Sequence, residues 1–408
     1  MKNALPRLTG VAVAGLLAVA PARAADPASI SEAEFLSRLS DDHPASVSLR
    51  EELAEAEGQR RTPRTENVDV SFEREAAEGV PSQSTVKLGW RPPLDGRRGL
   101  ANERAAAALA GAESRLDWQQ LRLREELREI FAQWWAGVER RDLFAGLEEG
   151  IGRLAGRARA RASRGEESGL AAQRLELAAA ESQVARAAAE AEVLAVQARV
   201  RALFPELDPE TRLPSPPPLP VLPGSLDWSG RPDLAAARHD VERADLSRRL
   251  AGRWVEFPAL VGGWTVYDGD SEVEDTDGPV LGLEWSLPLF DRRQGERART
   301  EREAQVARAR LELKRNRAAA EAPVAEEIYR HLRVEAVDVL EATGGVESTM
   351  ASATAEFQAG EATLTDLLET LRSATDSRLA ALDLYRKALA AHRELEAAVG
   401  RPLTDGGE

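Results

Sequence analysis

The chain has no cysteine, which excludes disulfides, thiolate metal sites and a lipid anchor on an N-terminal cysteine. Aromatic residues make up 5% of it, low for a globular core, and there are only four histidines. His43, His239, His331 and His392 are scattered without metal-ligand spacing, and each is expected to face solvent or cap a helix. No defensible Ser-His-Asp pattern or phosphate-cradling glycine loop is present, so no catalytic group, cofactor or bound metal is expected. A basic surplus is missing too: 54 Lys and Arg stand against 69 Asp and Glu, a net of −15, which argues against nucleic acid as a partner. Beyond the N-terminus no apolar run approaches the roughly 20 residues of a membrane helix. If the protein crosses a membrane, it does so with strands.

What is present first is an address. Residues 1–24 carry a basic start (Lys2, Arg7), an apolar run over 11–20 and Ala22-Arg23-Ala24, the pattern of a cleaved secretory signal. The mature chain is expected to begin near Ala25. Alanine, leucine, glutamate and arginine dominate it, a composition of long helices.

The chain also repeats itself at an offset of 195 residues. Leu88, Trp90, Pro93, Leu94, Gly165 and Glu166 recur as Leu283, Trp285, Pro288, Leu289, Gly360 and Glu361. A period this long is no solenoid repeat, so each copy is half of one structure. The first repeat is assigned to 25–211 and the second to 231–400, with a connector over 212–230 and a tail over 401–408. The connector is dense in proline (Pro214, Pro216, Pro217, Pro218, Pro220, Pro223) and should be extended.

Within each copy the periodicity changes from two to three and four. Leu109, Ala112, Leu116, Leu123, Leu127, Ile130, Trp134 and Val138 begin an apolar stripe that continues to Ala158 without a proline. That is one amphipathic helix of coiled-coil character, about 65 residues and roughly 100 Å long. Gly165 breaks it, and a second helix of about 35 residues returns to about Phe204. The helical hairpins span about 97–204 and about 292–399, the second turning at Gly360. Pro323 is expected to kink the second copy and Gly344-Gly345 to weaken it, with the rod kept together.

Before each helical hairpin stand two alternating segments, at about 66–92 and about 257–288. Val68, Val70, Phe72 and Val86, Leu88, Trp90 form one pair; Leu260, Trp264, Val266 and Leu281, Leu283, Trp285, Leu287 form the other. Both predict β-hairpins with one apolar face. Isolated hairpins are marginal in water, and the obvious partners are other copies of the same chain. A closed membrane barrel satisfies every edge, and three protomers would supply twelve strands. Trp90, Trp264, Tyr267 and Trp285 then become membrane-interface aromatics. The alternative is that the tryptophans only seal a soluble sheet onto the helices.

The order of these elements, with Pro288-Leu289-Phe290-Asp291, Arg231-Pro232-Asp233-Leu234, Phe-x-x-Gly-Glu at 357–361 and Leu-Glu-x-Ala-Val-Gly at 395–400, resembles the TolC-like outer-membrane efflux proteins over nearly the whole mature length. The second half looks most like the heavy-metal members of CzcC and CusC type. The resemblance implies a fold that is mainly α with membrane β-strands: a trimeric 12-stranded β-barrel in outer-membrane lipid, continued by a 12-helix periplasmic α-barrel. It implies a passive exit duct for heavy-metal cations or small toxicants, working with a periplasmic adaptor and an inner-membrane RND-type pump. It places a periplasmic gate at Asp366 and Glu369, one helix turn apart, whereas the first copy has Ala171 and Arg174 there. Gly165, Glu166, Gly360 and Glu361 become adaptor-docking tips, or simply turn residues. The competing readings are a periplasmic adaptor protein, which carries one such hairpin rather than two, and a secreted coiled-coil structural protein.

Overall fold

The structure, a computed structural model, describes residues 29–61, 68–77, 80–92, 94–165, 169–209, 213–222, 224, 226–253, 257–268, 277–285, 290 and 292–403. The signal-like segment, Pro93, Glu166, Leu287, Pro288, Leu289 and Asp291 lie outside the described residues. In chain order the elements are β1 (Ser29–Ile30), α1 (Glu32–Ser37), α2 (Pro44–Ser48), α3 (Glu51–Arg61), β2 (Asp69–Ala77), β3 (Val80–Trp90), α4 (Arg97–Ser163) and α5 (Gly169–Leu203). After them come β4 (Leu213–Pro214), α6 (Pro232–Ala251), β5 (Ala259–Asp268), β6 (Gly278–Glu284), α7 (Gln294–Ala342), α8 (Val346–Ala359) and α9 (Leu364–Val399).

Helix α4 is 67 residues long and α5 is 35. At 1.5 Å per residue α4 is a rod of about 100 Å. The second copy is interrupted, but not at the proline: α7 runs unbroken through Pro323. The interruption falls at Thr343–Gly345, one turn of 3-10 helix between α7 and α8. Two consecutive glycines there offer little resistance to leaving the α basin.

The helices pack as two layers in series. Toward the strands the contacts run α3 to α4, α4 to α6 and α6 to α7; toward the far end they run α5 to α4, α4 to α9, and α9 to α7 and α8. The cores follow the same division. Phe35, Leu127, Phe131, Trp134, Val200 and Phe204 pack α1 and α5 onto α4. Trp135, Tyr329, Leu382, Tyr385, Leu389 and Leu395 pack α7 and α9 onto the neighbouring stripe of the same helix. Trp134 and Trp135, adjacent in sequence and about 100° apart around the helix axis, are both buried and enter different cores. Near the tips Ile151, Leu154, Leu175, Leu367 and Leu371 make a third cluster, against which Phe357 and Leu364 pack.

The connector lies against these helices rather than hanging free. A proline run has no N–H to donate, but its carbonyls still need donors. Tyr385 donates its hydroxyl to the Pro217 carbonyl at 2.7 Å, Tyr329 to Pro220 at 2.7 Å, and Arg333 to Leu219 at 3.0 Å.

The hairpins do not wait for other copies to find a partner. Strand β3 pairs antiparallel with β5, joining both hairpins into one four-stranded sheet of order β2-β3-β5-β6. At this joint Gly263 is required, because a Cβ there would sit 2.4 Å from the Val86 carbonyl oxygen.

Candidate functional site

The sheet has two chemically different faces, and the register shows which residues share each. Val70, Leu88, Gly262 and Leu281 form one cross-strand row; Phe72, Val86, Trp264 and Pro279 form the next; Trp90, Leu260 and Leu283 form a third. All three rows lie on one face, and Val70, Phe72, Leu88, Trp264, Leu281 and Leu283 are more than half exposed on it. The other face carries Ser71, Lys87, Glu73, Thr85 and Thr265. There Lys87 reaches Glu73 at 2.5 Å, and the Thr85 and Thr265 hydroxyls are 3.0 Å apart. One apolar face and one polar face is the alternation that a membrane barrel wall requires.

Trp90 and Trp264 stand on the apolar face, and Trp285 continues the alternation of Leu281 and Leu283 at the end of β6. Tyr267 does not join them. It pairs with Gln83, three residues from Trp264 and therefore on the polar face.

At the far end the two tips are built alike. Gly165 and Gly360 both adopt left-handed backbone, at φ 74° and 81°, and close helix C-termini. The Gly360 N–H bonds to the Phe357 carbonyl at 3.1 Å and that of Glu361 to Glu356 at 3.0 Å. A Cβ at either glycine would meet only open space, so backbone conformation and not packing demands glycine. Asp366 has a structural task beside the tip: its carboxylate accepts from the Thr363 N–H at 3.0 Å and the Thr363 hydroxyl at 2.6 Å, completing a capping box on α9. These bonds hold its pKa below the usual carboxylate value. Glu369 is exposed on the next turn and shares a cleft of about 740 Å³ with Arg174 and Arg372.

Midway along the rods lies a buried ionic knot that periodicity does not announce. Arg128 of α4 binds Glu32 of α1 at 3.1 Å and also Glu396 of α9. The other oxygen of Glu396 accepts the Leu403 N–H at 2.7 Å. Arg231 forks onto Asp233 at 2.9 and 3.2 Å, donates to the Ala398 carbonyl at 3.1 Å and lies over the Trp118 ring at 5.6 Å. Gly400, at φ 81°, lets Arg231 approach, since a Cβ would come 2.8 Å from the Arg231 Cα. The Arg-Pro-Asp-Leu opener and the Val-Gly ending thus meet as one joint. His392 belongs to this region and not to the solvent: it is 1% exposed, its ring 4.9 Å from that of Tyr329. His43 is a helix cap, accepting the Ala45 N–H. Burial raises the pKa of Glu125, next to the knot, to about 7 against the opposing pull of Arg122.

Residues 228–401 match a family model described as outer membrane efflux protein. The structure superposes on the MtrE outer-membrane channel of Neisseria gonorrhoeae in its open state, with TM-score 0.74 and 17% identity, covering 92% of this chain and 91% of that one. The outer-membrane protein VceC of Vibrio cholerae superposes with TM-score 0.71 and 17% identity over 91% and 96%. The fold is that of the outer-membrane efflux channels. CusC, whose structures concern transmembrane channel formation, superposes with TM-score 0.70 and 15% identity over 91% and 92%. That identity is no higher than to the other two, so the heavy-metal subtype has no separate support. No curated protein matches the chain by sequence.

In this channel fold, among the described residues no helix is long and apolar enough to cross a membrane. No group of three His, Cys, Asp or Glu among them could hold a metal.

Proposed function

We infer that three copies of this chain form an outer-membrane exit duct in a tripartite efflux system. The observation that carries this is the two-faced sheet. Four strands with an exposed apolar face leave β2 and β6 each with one edge unpaired among the described residues. Unpaired edges in lipid are untenable, and threefold repetition closes them into twelve strands. Each protomer adds four helices to each layer, so the same repetition gives a twelve-helix tube below. The chain has no catalytic role in this reading, and energy comes from an inner-membrane pump reached through a periplasmic adaptor. The tips at Gly165 and Gly360 are the docking points for the adaptor, and Asp366 and Glu369 form the constriction behind them. The cargo is heavy-metal cations or small toxicants, the first suggested by the motifs of the second half.

Mass measurement of the detergent-extracted protein, followed by planar-bilayer conductance, tests the duct. A trimer that conducts is expected; a folded, stable monomer would remove the barrel.

A further inference from the structure

A groove of about 1350 Å³ runs along the helices on the strand side, touching α3, α4, α6 and α7. These four form a single layer in that order. A groove that touches all four fits the concave side of a curved layer better than the convex side, where neighbouring helices diverge. If threefold repetition closes that layer into a tube, as the duct reading requires, the concave side is the lumen.

The groove is basic although the chain is acidic. Arg104, Arg243, Arg299, Arg302, Arg310 and Lys314 line it, against Asp240, Glu296 and Glu303. Much of the acid is already committed: Asp240 binds Arg115 at 3.2 Å and Arg243 at 3.3 Å, and Glu303 lies 3.8 Å from Arg299. Arg104, Arg302 and Arg310 are exposed and, among the described residues, have no hydrogen-bonded or ion-paired partner. Unpaired guanidinium groups on a concave wall focus positive potential into the space they face.

We propose that these arginines form an anion-attracting belt inside the duct, next to the membrane strands, where anionic solutes in transit are held. This rests on the duct reading, and three copies would contribute nine such arginines to one band, in which Arg302 and Arg310 stand about 12 Å apart along α7. The guanidinium fork suits phosphates, sulfonates and carboxylates, each of which can accept two parallel hydrogen bonds.

Inositol hexaphosphate is the probe, added to the strand side of the purified channel in a planar bilayer. Wild type should be blocked at low salt, with block weakening between 0.1 and 1 M KCl as the screening length falls from about 10 to about 3 Å. The triple variant Arg104→Gln, Arg302→Gln, Arg310→Gln should need at least about tenfold more probe for half block, because the field it meets has lost most of its unpaired charge. The triple lysine variant should block like wild type. Equal block of wild type and glutamine variant, or an open wild-type pore indifferent to the probe, overturns the belt. A protein that never conducts overturns the duct reading itself, and the two failures are distinguished by whether a pore opens.

Discussion

At the scale of single residues the ionic joint between the two copies has a pH dependence of definite sign. Glu125 is buried with one oxygen lacking a partner, and its pKa is raised from 4.5 to about 7 by desolvation. The groups facing it are Arg122 of its own helix and Arg393 and Glu396 of α9. A carboxyl with a raised folded pKa binds more protons folded than unfolded between the two values, so stability falls as pH rises through that window and levels off above it. Wild type should therefore lose stability between about pH 5 and 7, and Glu125→Gln should lose less. Thermal unfolding of both across that range checks this; parallel profiles would show that Glu125 does not titrate there. Burial raises Glu396 as well and acts in the same direction, so the variant should flatten the profile without abolishing its slope. His392 shows what composition conceals. A lone histidine on a helix looks solvent-facing until the packing of α9 on α7 is known, and only the apolar positions around it, Leu389 and Leu395, hint at burial.

Among the elements, the long helices were legible because apolar residues at three and four residue steps specify a face regardless of the partner. The glycine tips were equally legible, since a left-handed helix end has few alternatives to glycine. Strand alternation carried the two-faced sheet, and it also held the information against Tyr267, which stands an odd number of residues from Trp264. Joining the hairpins was not legible. Strands β3 and β5 lie on opposite sides of about 170 residues of helix and connector, and local pattern does not encode which edges meet. The 3-10 interruption at Thr343–Gly345 escaped for another reason: glycine lowers the cost of leaving the helix without prescribing the departure. The β3–β5 joint gives a sharp test, because Gly263 is pinned by the Val86 carbonyl. Gly263→Ala should part the two hairpins and reduce outer-membrane trimer on unheated gels to a minor fraction, whereas Gly282→Ala, in open space on β6, should leave it near wild type. Equal trimer from both would show that the close approach is not a constraint on assembly.

For the whole molecule, the basic groove and the pair Asp366 and Glu369 lie toward opposite ends of the long helices. Asp366 and Glu369 from three protomers would set six carboxylates in a ring, where a narrow bore strengthens their field. The capping task of Asp366 does not remove it from that role, since its carboxylate remains ionised and exposed. Bilayer conductance of Asp366→Asn with Glu369→Gln should show weaker cation preference and weaker block by multivalent cations added from the tip side. Persistence of both would exclude these residues from the constriction. The threefold assembly is proposed from the arithmetic of four strands and a closed edge, whereas the order of the helices in each layer needed the structure. The pair Trp134 and Trp135 carries a consequence in time. Trp134 packs against Phe131 and the first-half core, whose members are all made early. The Trp135 ring packs tilted against Tyr385, 5.2 Å between centroids and 250 residues later in the chain. At about 5–20 residues per second, synthesis leaves this indole without its cover for on the order of 10–50 s. The first copy therefore spends its early life as a half-finished surface, and whatever holds nascent chains must shield one tryptophan until the last helix arrives.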